Sequence, residues 1–230
     1  MIDLHSHVLP GVDDGSHSPE ETAQMLKRAF DQGVSCMVAT PHFYADETVP
    51  EKFLEKRQRG FAQVVLDNTM PKLLLGAEVA YFDNMSRSEA LQQLQIGDTG
   101  LLLVEMPFGA WNDRIVRDVC DIQERLGLTP VLAHVERYRN RDQFPKYRDK
   151  LLSGGVLFQA NAGAFGGFRI TMWLLRQLKK GYIHFLGSDC HNMTSRPPCM
   201  DVAACVIEKR LGRNTLLEIE DFSAQMLNLQ

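Results

Sequence analysis

The sequence predicts an α/β fold, an irregular (β/α)7 TIM-like barrel, and two observations support it. Seven short apolar segments alternate with longer amphipathic segments along the 230 residues. Such alternation is typical of strand–helix units that build a parallel sheet. Nearly every short segment also ends at a histidine or an acidic residue. Because the carboxyl ends of barrel strands form one rim, this series favours a barrel over an open sheet.

The predicted strands are short apolar runs, as expected for buried parallel strands. They are expected at residues 2–5, 36–40, 73–78, 101–105, 131–134, 156–160 and 183–187. Ser18-Pro19-Glu20-Glu21 predicts the start of the first helix, with an N-cap and a proline at the first helical position. Gly33 ends that helix, and further helices are expected at residues 53–66, 115–126, 172–178 and 202–211. No linker divides the chain, so residues 1–230 are expected to form a single domain.

The composition excludes several classes of protein. Lys and Arg total 25 against 29 Asp and Glu, a net charge of −4, which argues against nucleic-acid binding and a polybasic membrane-surface protein. The apolar run 101–104 is too short to span a membrane, and the first residues lack a secretory pattern. No C-x-x-C pair occurs among the five cysteines. We therefore expect a cytoplasmic protein without membrane insertion.

The residues at the predicted strand ends are candidate metal ligands. Five of the seven histidines lie there, whereas His17 is expected to be exposed and His184 to be structural. At three or four protein ligands per ion, nine candidates suit two or three ions. Mixed imidazole and carboxylate donors favour Mn²⁺, Fe²⁺ or Zn²⁺. The candidates are His5, His7, Asp14, His42, Glu78, Glu105, His134, Asp189 and His191.

The charge of this set suits a phosphate substrate once metal is bound. The four carboxylates alone would repel a phosphate, whereas three divalent ions and a bridging hydroxide would make the site slightly positive. The ions would lower the pKa of a bridging water, orient the phosphorus and stabilise the leaving oxygen. Arg137 and Arg196 follow two of the candidate ligands and are candidate catalytic phosphate ligands, since guanidinium groups match phosphate oxygens. The alternative is that both are ordinary surface arginines.

The motifs resemble a known family. The run HSHVLPGVDDGS at residues 5–16 resembles the opening motif of the PHP (polymerase and histidinol phosphatase) superfamily. More narrowly, it is similar to the CpsB/CapC-type, manganese-dependent protein-tyrosine phosphatases of bacterial capsule and exopolysaccharide systems. The resemblance continues in TPH at 40–42, GAE at 76–78, EMP at 105–107, HVER at 134–137, NAG at 161–163 and SDCH at 188–191. Residues 45–72 and the tail after Leu211 carry no motif of this kind.

The resemblance implies three divalent metal ions, expected to be Mn²⁺, with Fe²⁺, Zn²⁺, Co²⁺ or Mg²⁺ as alternatives. It implies that His5, His7, Glu78 and Asp189 hold the first ion. Glu78 would bridge to a second ion held with Glu105 and His134. The third ion would be held by Asp14, His42 and His191.

The resemblance also implies a metal-dependent hydrolase that removes phosphate from tyrosine on a bacterial kinase regulating capsular or exopolysaccharide synthesis. The expected partner is the phosphotyrosine-containing kinase tail, and the expected nucleophile is a metal-bridging hydroxide held by the metal ligands. Two alternatives remain open. The first is a small-molecule phosphatase of the same superfamily, such as a histidinol-phosphate phosphatase. The second is a non-catalytic scaffold that binds the kinase tail.

A second phosphatase motif is also present. Residues 190–196 read C-x5-R, the nucleophile loop of the unrelated thiol-based tyrosine phosphatases. The five intervening residues contain no glycine, and Pro197-Pro198 follow where the thiol enzymes begin a helix. We therefore expect the C-x5-R match to be a coincidence. The side chain of Cys190 should point away from those of Asp189 and His191, because side chains alternate along an extended segment.

Overall fold

A computed structural model describes residues 1–139 and 143–229 of the chain. The described part contains nine strands and seven α-helices, joined by loops and short 3-10 helices. The strands are β1 (Ile2–Ser6), β2 (Cys36–Ala39), β3 (His42–Phe43), β4 (Lys72–Leu75), β5 (Glu78–Ala80), β6 (Leu101–Glu105), β7 (Thr129–Leu132), β8 (Leu157–Asn161) and β9 (Phe185–Gly187). The helices are α1 (Pro19–Asp31), α2 (Pro50–Phe61), α3 (Asp113–Leu126), α4 (Gln143–Ser153), α5 (Phe168–Lys179), α6 (Met200–Leu211) and α7 (Arg213–Met226).

The paired strands run parallel and follow the chain in order around a curled sheet. One sheet has the order β1-β2-β4, and the other has the order β3-β5-β6-β7-β8-β9. Short breaks separate β2 from β3 and β4 from β5, so the nine strands occupy seven successive positions. The last strand returns to the first through a parallel bridge between Ser6 and Cys190. The Asp189 N–H also donates to the carbonyl of His5 at 2.8 Å. This arrangement brings the strand ends together at one rim.

The predicted strand 73–78 is interrupted, and its glycine explains the break. A Cβ atom on Gly76 would lie 2.9 Å from Ile96 Cγ1, so this site accommodates only glycine without rearrangement. The Gly76 carbonyl accepts a hydrogen bond from Arg57 Nη1 at 2.7 Å rather than from a neighbouring strand. The chain therefore shifts between β4 and β5, and Glu78 begins the new strand.

The helices pack on the outside of the sheet. Ser18 caps α1 as predicted, since its hydroxyl accepts from the Glu21 N–H at 3.2 Å. Buried residues of α1 and α6 share one apolar cluster with α5, and those of α3 share a second with β6 and β7. A third cluster is drawn almost entirely from strands, including Leu103, Val131 and Phe185, and fills the space enclosed by the sheet. Helices α4 and α7 were not predicted, and α2 begins at Pro50 rather than at residue 53. Within the described residues, no helix combines the length and apolar character needed to cross a membrane.

Candidate metal centre

The structure brings all nine candidate ligands together at the rim, around Glu78. This carboxylate is 1% exposed, and its two oxygens face four imidazoles. Glu78 begins β5, and the break after Gly76 places it at the centre of the rim. The other candidates approach it from loops and strand ends on all sides.

The first predicted group is compact. His5 Nε2 and His7 Nε2 lie 3.1 Å apart, as the H-x-H spacing predicts. Glu78 Oε2 is 3.2 Å from His5 Nε2 and 3.4 Å from His7 Nε2. Asp189 Oδ1 is 3.6 Å and 3.4 Å from the same two nitrogens. Donor atoms about 2.1 Å from one ion are separated by about 3.0–3.4 Å, so this spacing fits ligands around a shared ion.

The second predicted group lies on the other oxygen of Glu78. His134 Nε2 is 2.9 Å from Glu78 Oε1 and 3.2 Å from Glu105 Oε1. Glu78 therefore faces two groups with its two oxygens, as a bridging carboxylate does.

The third predicted group overlaps with the other two, because His7 and His42 each contact more than one group. Asp14 Oδ1 lies 3.6 Å from His42 Nε2 and 3.4 Å from His191 Nε2, as predicted. Donor atoms of His7 also lie within 4.8 Å of all three. In addition, His42 Nδ1 is 3.0 Å from Glu78 Oε2, so His42 borders a second group. His7 and His42 can therefore each face two positions within the cluster.

Two buried donor atoms support a metal in this cluster. Glu78 Oε2 has no hydrogen bond among the described residues, although three imidazole nitrogens lie within 3.4 Å. His191 Nε2 is also buried without a hydrogen bond to a described residue. Buried polar atoms are normally paired, since leaving one unpaired costs about 1–3 kcal/mol. Imidazole and carboxylate donors at these distances fit divalent ions that would satisfy both atoms.

Three polar residues that the sequence analysis did not assign hold the candidate ligands in place. Asp13 Oδ2 accepts from His7 Nδ1 at 2.6 Å and from the His42 backbone N–H at 3.0 Å. Gln159 Oε1 lies 3.3 Å from His5 Nδ1 and accepts from the His134 N–H at 2.7 Å. Such contacts at Nδ1 direct the lone pair of Nε2 toward the centre. A third residue, Asn161, donates from Nδ2 to Asp189 Oδ2 at 2.8 Å.

The charges of the cluster stabilise one another. Burial opposes the charged form of His7, but the hydrogen bond that its Nδ1 donates to Asp13 and the nearby carboxylates of Asp189 and Glu78 raise its pKa well above the usual value. Burial likewise opposes ionisation of Asp13, yet its hydrogen bond with His7 lowers its pKa to about 2. The pKa of Glu78 is well below its usual value because the neighbouring imidazoles outweigh its burial. Asp13 and Glu78 are therefore ionised at neutral pH, as a hydrogen-bond partner of a charged imidazole and a metal ligand must be.

The pKa values of two other candidate ligands, His134 and His191, are shifted in opposite directions. The pKa of His134 is raised to about 9, since hydrogen bonds to Glu105 and Glu78 outweigh its burial. The pKa of His191 is lowered to about 4 by burial and by the positive charges of His7 and Arg196. His191 is therefore neutral at pH 7, ready to donate a lone pair.

Arg137 and Arg196 both reach the cluster. Arg137 Nη2 donates to Asp189 Oδ2, and Arg196 Nη2 forms an ion pair with Asp189 Oδ1 at 2.8 Å. Their side chains are 37% and 39% exposed, so the guanidinium groups remain open to a ligand from solvent. With Asn161 and Ser188 they line a cavity of about 270 Å³ beside the candidate ligands. Both arginines therefore lie beside the candidate ligands, where the alternative of ordinary surface arginines would not place them.

The residues set apart by the sequence analysis lie where it expected them. Cys190 is 1% exposed within an apolar cluster, and burial raises its pKa well above the usual value. His17 is exposed. His184 Nδ1 accepts from the Phe158 N–H at 3.0 Å, and burial lowers its pKa to about 4, as expected of a structural histidine.

Comparisons with known proteins agree with this site. The family described as "Capsular polysaccharide synthesis, CpsB/CapC" matches residues 1–227. The chain belongs to the CpsB/CapC family. It is 31% identical to tyrosine-protein phosphatase CpsB of Streptococcus pneumoniae, over 95% of this chain and 94% of that protein. It is 30% identical to tyrosine-protein phosphatase YwqE of Bacillus subtilis, over 92% of this chain and 85% of that protein.

A solved structure also resembles this chain over its whole length. It was reported with YwqE from Bacillus subtilis and CpsB from Streptococcus pneumoniae, described as unique metal-dependent tyrosine phosphatases. The TM-score is 0.85 at 28% identity, and the match covers 100% of this chain and 95% of the other. The predicted family and fold class are therefore confirmed.

Proposed function

We propose that this chain is a metal-dependent tyrosine-protein phosphatase that acts in capsular or exopolysaccharide synthesis. The observation that carries the proposal is the convergence of five imidazoles and three further carboxylates around Glu78, beside two half-exposed arginines. The tyrosine-phosphatase names of its relatives support the same activity. Because the family match extends from residue 1 to residue 227, we propose that residues 1–230 form a single phosphatase domain.

We propose the following ligands for three divalent ions, which we expect to be Mn²⁺. His5, His7, Glu78 and Asp189 would hold the first ion. Glu105 and His134 would hold the second, with Glu78 as the bridge. Asp14, His42 and His191 would hold the third, and the position of His42 between two groups allows it to support the second as well.

The protein residues have distinct roles in the proposed hydrolysis. Bound divalent ions supply Lewis acidity toward phosphoryl oxygens and lower the pKa of water. Arg137 and Arg196 would donate to the phosphate oxygens, and would stabilise the charge that develops as the ester bond breaks. Asp13 and Gln159 hold the imidazoles of His7 and His5 in a fixed orientation. We do not expect Cys190 to be the nucleophile, because its thiol is buried in an apolar cluster and burial raises its pKa.

We propose phosphotyrosine in the tail of a bacterial tyrosine kinase as the substrate, and the cytoplasm as the location of the reaction. The rim offers aromatic side chains to a phenyl ring. Tyr44 stacks on His42 with ring centroids 5.3 Å apart, and Phe108 stacks on His134 at 6.2 Å. Both rings flank candidate ligands, where they could contact the ring of a phosphotyrosine.

Hydrolysis of a phosphotyrosyl peptide by the purified protein tests the activity. We expect a chelator to abolish hydrolysis, Mn²⁺ to restore it, and His5→Ala to reduce kcat by orders of magnitude. His17→Ala is the matched control, because His17 is exposed and outside the cluster. Turnover that survives chelation, or that His5→Ala leaves unchanged, would refute the proposed metal site.

The same assay separates the two alternatives. A tenfold higher kcat/KM for histidinol phosphate than for the peptide would favour a small-molecule phosphatase. Peptide binding without turnover in the presence of Mn²⁺ would favour a non-catalytic scaffold.

A further inference from the structure

A cavity beside the candidate metal centre contains charged groups that the proposed chemistry does not use. Its volume is about 360 Å³, and its lining includes Asp14, His42 and Tyr44. Lys52 and Lys56 of helix α2 also line it. Lys52 and Lys56 belong to the segment 45–72, for which the sequence showed no recognised motif. It is distinct from the cavity lined by the two arginines, since the two share no lining residue.

Helix α2 is fixed in a position that presents both lysines to the cavity. Phe53 is buried against Phe43, with ring centroids 5.3 Å apart. One turn later, Arg57 donates to the Gly76 carbonyl at 2.7 Å, beside the break that positions Glu78. Residues four apart lie on one face of a helix, so Lys52 and Lys56 are neighbours on the adjoining face. The helix is therefore anchored to the same backbone segment that positions the candidate ligands.

Neither of the two lysines forms an ion pair with an acidic side chain in the described part of the chain. Both side chains are exposed, and neither ammonium group has an ion pair or hydrogen bond with any described residue. Two acidic residues that line the cavity are engaged elsewhere, since Asp13 pairs with His7 and Asp14 faces two other candidate ligands. Glu47 lines the cavity as well, without an ion pair among the described residues. The cavity thus presents two cations that have no ion pair with any described residue, beside the candidate metal centre.

We propose that this cavity binds acidic residues that flank the phosphotyrosine in the protein substrate. The inference rests on the proposed function and specifies its substrate class: phosphotyrosyl segments with glutamate or aspartate within about three residues of the phosphotyrosine. An extended chain advances about 3.3 Å per residue, so side chains that flank the phosphotyrosine can reach a cavity that borders the candidate ligands Asp14 and His42. Lys52 and Lys56 bind the flanking carboxylates, and Glu47 weakens that binding by repulsion.

Two peptides test the proposal. One carries glutamate at three positions on each side of a phosphotyrosine, and the other carries glutamine there. At low ionic strength we expect kcat/KM to be about three- to tenfold higher for the glutamate peptide, the effect of one or two exposed ion pairs. The preference should decrease with added salt, because salt screens exposed charges. The ratio of the two kcat/KM values is the readout, so a general loss of activity cancels.

Charge variants assign the preference to the cavity. We expect Lys52→Gln with Lys56→Gln to bring the ratio close to one, and Lys52→Glu with Lys56→Glu to bring it below one. Lys146→Gln with Lys150→Gln is the matched control, since these exposed lysines have the same spacing on α4 and are outside the cavity. This control should keep the wild-type ratio.

The possible results have separate meanings. Hydrolysis of both peptides by the wild-type protein at equal kcat/KM would overturn this proposal and leave the proposed phosphatase activity intact. An acidic preference that survives in the Lys52 and Lys56 variants would also overturn it. No hydrolysis of either peptide with Mn²⁺ would overturn the proposed function, and this inference with it.

Discussion

Replacement of Asp13 by asparagine tests whether the residues behind the candidate ligands control the metal centre. The carboxylate accepts three hydrogen bonds: from His7 Nδ1 at 2.6 Å, from the His42 N–H at 3.0 Å and from the Gly15 N–H at 3.0 Å. Asparagine has the same shape but only one acceptor oxygen. Its amide group must therefore face at least one N–H donor without forming a hydrogen bond.

The expected magnitude follows from these contacts. Loss of a hydrogen bond between charged groups costs about 1.5–3 kcal/mol. Removal of the Asp13 charge also lowers the pKa of His7, which reduces proton competition and offsets part of the loss. We therefore expect Mn²⁺ affinity or kcat to fall about 10–100-fold, the usual range for a residue that orients a metal ligand. This corresponds to about 1.4–2.7 kcal/mol.

The assay combines calorimetric titration of chelator-treated protein with Mn²⁺ and steady-state hydrolysis of a phosphotyrosyl peptide. Asp46→Asn is the control, because Asp46 is exposed and has no hydrogen bond or ion pair with the described residues. A thermal melt of the metal-free variants shows whether the fold survives. If Asp13→Asn keeps both metal affinity and kcat within twofold of the wild type, Asp13 does not position His7 and the reasoning fails.

Two further predictions concern the nucleophile and the protons of the site. Cys190→Ser should keep kcat within about threefold of the wild type, because the thiol is buried in an apolar cluster. The metal mechanism would be refuted if the wild-type protein were active without metal and the Cys190→Ser variant were inactive. Mn²⁺ binding at pH 7 should release at least one proton, since metal must displace protons held by His7 and by His134, whose pKa is about 9. Apparent affinity should therefore fall as the pH falls, and calorimetry in buffers of different ionisation enthalpy measures the release. If no proton is released when Mn²⁺ binds, these imidazoles are neutral before the metal binds.

The fold was predictable where local signals were strong. The predicted strand at 101–105 matches β6 because four consecutive apolar residues end at a single acidic one. The predicted start of α1 also agrees, because its capping residues act locally. The break inside residues 73–78 was not predictable, since it depends on Ile96, which lies twenty residues away along the chain. Local patterns indicate where strands exist, but contacts between distant segments decide where they are interrupted.

The candidate site was also predictable only in part, where local sequence patterns were informative. The candidate ligands could be recognised because residue types that bind metals recur at successive strand ends. Gln159 was missed, and Asn161 was noted only as part of the NAG motif without a role, because a polar residue in a strand has many roles and only the structure shows their contacts with His5 and Asp189. A usable signal was present: both are polar residues two positions apart at the end of an otherwise apolar strand, where they share a side of the sheet. Lys52 gave no such signal, since an exposed helical lysine is common.

Two candidate ligands, His134 and Asp189, have unfavourable backbone conformations that hydrogen bonds within the site hold in place. His134 has φ of 35° and Asp189 has φ of 54°, both in the left-handed region that non-glycine residues rarely adopt. Such residues cost about 1–3 kcal/mol and persist only when the surrounding contacts fix them. The His134 N–H donates to Gln159, and the Asp189 N–H donates to the His5 carbonyl, so the same hydrogen bonds hold the strained backbone and neighbouring ligands. The strain thus directs His134 toward Glu78 and places the Asp189 carboxylate between the imidazoles and the two arginines, where metal binding and phosphate binding meet.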